Sequence, residues 1–174
     1  MIMKMAHGKS ARGEDTLAAY LHSHLIAAAA GERLFGQAAK TWEDSPYGDT
    51  LGRLAKEVSA DKAALQDITN GAGLRIPAYK VPFVWIGTRI AALGPLNPLH
   101  ARTGAPGQLE IEALISAVTG KSLLWKTLVL LSQAHPRIEH ERVAGLLDRA
   151  TEQLRELEGI LLDTATERFA DPAR

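Results

Sequence analysis

The chain has no cysteine, which excludes a disulfide framework, a thiolate metal site and a cysteine nucleophile. It has no net charge either: Lys plus Arg is 20 and Asp plus Glu is 20. The concentrated basic face of a nucleic-acid binder is therefore not to be expected. No apolar run approaches the ~20 residues that span a bilayer, and the stretch from Met1 to Ser10 is too broken for a secretory signal. These absences point to a cytoplasmic protein without nucleic-acid or membrane partners. At 174 residues the chain is one domain of ordinary size.

What is present is helical periodicity in four stretches, separated by a short, a long and a short gap. Residues 1–13 are expected to form a flexible arm and 170–174 a tail. The first helix is expected over 14–41, with the stripe Leu21, Leu25, Ala28, Phe35, Ala39 and Trp42. Asp15 and Thr16 suit its first turn, where a carboxylate complements the helix dipole. Ser45-Pro46 and Gly48 mark a turn. The second helix, over 49–69, carries Leu51, Leu54, Val58, Leu65 and Ile68, and Asn70-Gly71 stops it.

Residues 70–107 hold five of the eight prolines and six of the fifteen glycines and read as a crossover. Within it, Val81 to Leu93 has few breakers and predicts a short helix across the bundle, since a structureless loop of that length is unusual in a compact domain. The third helix, over 108–133, is apolar over so much of its circumference that it calls for burial on more than one side, against its partners and against a second subunit. Ala134-His-Pro-Arg137 is the second turn. The fourth helix, over 138–169, has the stripe Val143, Leu147, Ala150, Leu154, Leu157, Leu161 and Thr164, with Glu and Arg on its other face. Two hairpins joined by one long crossover is the connectivity of a ferritin-like four-helix bundle. The expected fold is all-α, one domain over 14–169.

Three charges interrupt these stripes. Glu32 falls on the series 21, 25, 28, 32, 35, and Asp61 on 51, 54, 58, 61, 65. Lys121 falls on 111, 114, 118, 121, 125. At ~1.5 Å per residue, their heights above one end come to roughly 27, 22 and 20 Å, one layer of the bundle. Glu152 comes out near 21 Å and Glu112 nearer the top, near 33 Å. On Glu32, Asp61, Glu112 and the run Gly120-Lys121-Ser122-Leu123-Leu124-Trp125, with the order of helices, the chain over 14–169 resembles the ferritin-like superfamily, in particular small bacterial members related to rubrerythrins.

That resemblance implies a di-iron or di-manganese centre in which two helices give a Glu each and two give Glu-x-x-His. The chain departs from it. Three residues after Asp61 stands Ala64, not His; helix four has no Glu followed at i+3 by His; and His140 lies in that helix's first turn. A lysine in the same layer repels metal ions and supplies the counter-charge that buried acids need.

The reading taken is a cluster of Glu32, Asp61, Lys121, Glu112 and Glu152 without metal or other cofactor, in a bundle that acts through its surface, as a homodimer, rather than as an enzyme. One alternative is a histidine-poor Fe or Mn site on Glu32, Asp61, Glu112 and Glu152. Another is a small-molecule site in the mid-bundle layer, with Trp85 and Trp125 as pocket walls.

Other motifs fall short. Gly120-Lys121-Ser122 lacks the phosphate loop's first glycine, Ile115 standing in its place. His140-Glu141 has no second histidine at 144. His22 and His24 diverge around the helix and cannot share one metal.

Overall fold

The computed structural model describes residues 2–73 and 104–169. Among them are four helices and no strand: α1 (Ile2–Thr41), α2 (Gly48–Gly71), α3 (Gly104–Leu131) and α4 (His140–Phe169). The protein is an all-α four-helix bundle. α1 begins well inside the stretch expected as an arm: Met, Lys, Ala and Arg are good helix formers, and no proline stands there to stop them. α3 likewise starts at Gly104, inside the expected crossover, with Pro106 tolerated in its first turn. The expected short helix over 81–93, with Trp85, lies outside the described residues, as does the tail over 170–174.

The first turn is built from backbone and one serine. Ser45 Oγ donates to Trp42 O at 2.7 Å and accepts from Tyr47 N at 3.2 Å, and Gly48 N returns to Ser45 O at 3.0 Å. Gly48 is required there because a Cβ would run into the carbonyl oxygens of Glu43 and Trp42. α2 ends as Gly73 takes a positive φ of 67°. At the second turn, His135 N bonds Leu131 O at 2.9 Å and Ile138 plugs the core beneath it.

α1 packs on α2, α3 on α4, and α1 on α3. Leu21, Phe35, Leu51, Leu54, Leu65, Ile111, Leu114, Trp125, Leu128 and Leu157 are buried between them. Two sequence expectations shift. In α4 the buried line runs through Leu146, Gln153 and Ile160, whereas Leu147, Leu154 and Leu161 flank it, half-buried. In α3, Leu109, Leu123 and Leu130 stay exposed.

Candidate functional site

The heptad line of α2 carries Asp61 into the interior, where it is 1% exposed. A carboxylate this deep must find donors or stay protonated. Lys121 of α3 supplies one, its Nζ donating to Oδ2 at 2.5 Å. On the other oxygen, Arg149 of α4 brings Nε to 3.1 Å from Oδ1. That is ion-pair distance, but the N–H is not aimed at the oxygen, so both atoms lack a hydrogen bond among the described residues. The contact is Coulombic.

Gln153, also buried, completes the arrangement. A lysine can only donate, so the glutamine turns its carbonyl to Lys121 at 2.6 Å. Its amide then points at two acceptors, Glu57 Oε2 at 2.9 Å and, more loosely, Asp61 Oδ2 at 3.5 Å. At the solvent edge Glu57 accepts from Arg53 at 2.7 Å, and Arg53 also reaches Glu156. Asp61, Glu57 and Glu156 are thus offset by Lys121, Arg149 and Arg53, and the network is neutral.

Burial pushes the Lys121 ammonium below its ordinary value, and Asp61 pulls it back part of the way. At Glu57 burial acts upward and is the largest single influence. The bonds from Gln153 and Arg53, with the charges of Arg53 and Arg149, outweigh it and leave this carboxyl below its usual range.

The structure brings together two of the residues named from sequence, Asp61 and Lys121. Glu32 lies elsewhere, half-exposed on the α1–α2 seam. It accepts from Lys62 at 2.5 Å and Ser59 at 2.6 Å, and these bonds hold its carboxyl below the ordinary value. Glu112 is exposed on α3. Glu152 is exposed on α4 and bound to Arg155 at 2.5 and 3.0 Å. The expected five-residue cluster is therefore corrected: a phase error of a single residue turns a side chain through about 100°, enough to move an acid from core to surface.

Trp125 is a core residue, its indole N–H without a hydrogen bond among the described residues. His24 is half-buried with its ring edge on Tyr20, and desolvation lowers its pKa.

Sequence reasoning missed Gln153, Arg149 and Glu57. It also missed a second buried acid, Glu110 of α3, which accepts from Trp42 Nε1 at 2.9 Å. Arg168 lies over the Trp42 ring, 5.2 Å from its centre, and donates to Gln108 at 2.8 Å. Glu110 was findable: it lies four residues before Leu114 on the same stripe as Lys121.

A di-metal centre does not fit the mid-bundle residues. Metal-bridging carboxylates need their oxygens free for the cations, yet both oxygens of Asp61 already face protein cations. Among the described residues no three His, Asp or Glu side chains converge as a metal site would require. Two clefts of about 440 Å³ each, among the described residues, lie elsewhere. One is at the α1–α2 turn beside Lys40, Arg53 and Lys56; the other is at the opposite end beside Glu14 and Arg137.

Compared with protein-family models, with curated proteins and with solved structures, the chain matches none of them. The functional reading therefore rests on its own residues.

Proposed function

We propose that this chain is a ferritin-like bundle in which a closed ion-pair network stands at the level where such bundles carry metal, and that it acts as an interaction or structural protein. Cross-helix contacts support the connectivity. Tyr20 meets Thr127 and Trp42 meets Glu110, so α1 and α3 run in opposite directions. Ser132 meets His140 and Gln108 meets Arg168, which gives the same relation between α3 and α4. Arg53 meets Glu156 and Asp67 meets Arg142, so α2 opposes α4. α2 and α3 are then parallel, the relation that two hairpins joined by one crossover require.

One observation carries the functional reading: each oxygen of Asp61 has a protein nitrogen within about 3 Å, and one of those nitrogens is a lysine's. Divalent metal would have to displace Lys121 and Arg149 before it could bind. The test is metal titration of the purified protein with Fe(II) and Mn(II), followed by desalting and elemental analysis. Sub-stoichiometric retention, unchanged in Asp61→Asn, is expected. One or two metal ions per chain, lost in Asp61→Asn, would overturn the proposal.

A further inference from the structure

No uninterrupted apolar run reaches the ~20 residues that span a bilayer, but by length and mean hydropathy α3 does qualify to cross one, and only 33% of its most apolar part is buried. What it leaves in the open is ordered. Leu109, Leu123 and Leu130 are 47%, 55% and 72% exposed. They share one outward stripe with Glu112, Ser116, Thr119 and Lys126, spaced alternately three and four residues apart. That spacing sets all seven on one line along the helix, as a contact between two helices requires.

The order along this seam is self-complementary. Glu112 stands seven residues before Thr119, and Lys126 seven after. Leu109 stands ten before and Leu130 eleven after; Ser116 three before and Leu123 four after. When two such helices lie antiparallel about a two-fold axis at Thr119, each Glu112 meets the other copy's Lys126. Leucine then meets leucine at both ends, each Leu123 meets a small Ser116, and a small residue sits on the axis. Neither Glu112 nor Lys126 makes an ion pair within its own chain among the described residues. A two-fold contact demands this property, because each patch must complement itself.

We infer that the outward face of α3 is the seat of a second copy of this chain, packed antiparallel with its dyad at Thr119. The inference rests on the reading that the protein acts through its surface, and it names the partner and the register. The stripe from Leu109 to Leu130 is about 32 Å long. Over the width of two helices it covers roughly 600 Å² per copy, the lower end for a specific interface. The dimer therefore forms and dissociates with concentration. A bilayer is the poorer occupant, since it would take Glu112 and Lys126 into hydrocarbon unpaired.

The absence of cysteine makes the register directly testable. In Thr119→Cys the two new thiols meet on the axis, and oxidation should give a disulfide dimer. In Leu109→Cys the two thiols lie about 30 Å apart, and oxidation should leave monomer. Sedimentation equilibrium from about 1 to 500 μM should show a reversible wild-type dimer. Glu112→Lys and Lys126→Glu should each weaken it about tenfold or more at low salt. The double exchange should restore it, with circular dichroism melts checking that every variant folds.

A wild-type monomer at every concentration would overturn both the inference and the idea of self-association. A dimer indifferent to the charge exchange, with no Thr119→Cys cross-link, would overturn this face and register alone. Flotation of the wild type with phosphatidylcholine–phosphatidylglycerol vesicles, abolished by Leu123→Arg, would assign the face to a membrane instead.

Discussion

Replacing Lys121 by Met tests the core network most directly. The methionine fills much of the lysine's volume, so the change removes a charge and its hydrogen bonds more than it removes packing. Asp61 loses the donor at 2.5 Å and Gln153 loses the donor at 2.6 Å. A carboxylate 1% exposed is left with Arg149, through a contact that is not a hydrogen bond, and with the loose Gln153 amide at 3.5 Å. Removing one partner of a buried pair costs about 3–5 kcal/mol. The remaining Arg149 charge puts the expected loss near the lower figure. For a chain of this length that is a fall in Tm of about 6–12 °C.

The comparison that gives this number meaning is the triple variant Asp61→Leu, Lys121→Met, Gln153→Leu. It removes every charge and amide from the interior except the Nε of Arg149, whose side chain is 39% exposed and can turn to Glu57. Its expected cost is within about 1 kcal/mol of the wild type, or a net gain. Urea unfolding followed by circular dichroism measures both. A single variant losing under about 1 kcal/mol, or a triple variant as damaged as the single, would refute the reasoning.

Acid should destabilise the fold through Glu32 and Glu57, whose folded carboxyls lie below the ordinary value of 4.5. Their contribution is complete above that value, where the unfolded chain is also ionised, and is lost as pH falls through the folded values. A urea midpoint that falls modestly as pH drops below 6.5, where the unfolded chain protonates His24 before the folded one, and declines further below about 4.5 is expected, with a shallower acid decline in Glu32→Gln. Trp42→Phe keeps an aromatic ring but removes one donor to buried Glu110 and part of the indole's buried volume, and should cost about 1.5–3 kcal/mol by the same unfolding assay. Gly48→Ala should cost about 1–3 kcal/mol through its clash with backbone oxygens. Gly145→Ala, in open space within α4, should gain about 0.5–1 kcal/mol; equal effects at the two sites would contradict the turn geometry.

The helices were legible because apolar residues recur in them at three- and four-residue steps, and Asp61 and Lys121 because each is one charge in an otherwise apolar series. The same rule misplaced Glu32. Its step is allowed, but the buried line of α1 bends through Leu34 and Ala38, leaving position 32 on the flank, where Lys62 reaches it. Gln153 was missed for a related reason. Positions 153 and 154 both lie near the core side of α4, and hydropathy favours the leucine; only the need of Lys121 for an acceptor, which sits on another helix, puts the glutamine at the centre. Arg149 and Glu57 are further from legible, since an exposed charge and a charge leaning inward look alike in a sequence.

Such a network contributes more to uniqueness than to stability. Leucine stripes at heptad spacing accept a slip of one turn, about 5.4 Å, with little change in buried area. Slipping α3 against α2 by that distance would take Lys121 out of reach of Asp61, leaving the lysine unpaired in the interior and Asp61 without its closest donor. Slipping α4 would cost Gln153 its bonds on both sides. Ionic pairing across three helices therefore penalises the wrong registers far more heavily than it favours the right one. α1 is fixed separately, through Trp42 on Glu110 and Tyr20 on Thr127. The triple apolar variant should accordingly unfold at a similar urea concentration while losing near-ultraviolet circular dichroism and slow amide exchange in α3. If it keeps both, the network has no part in specifying the register, and hydrophobic shape alone sets it.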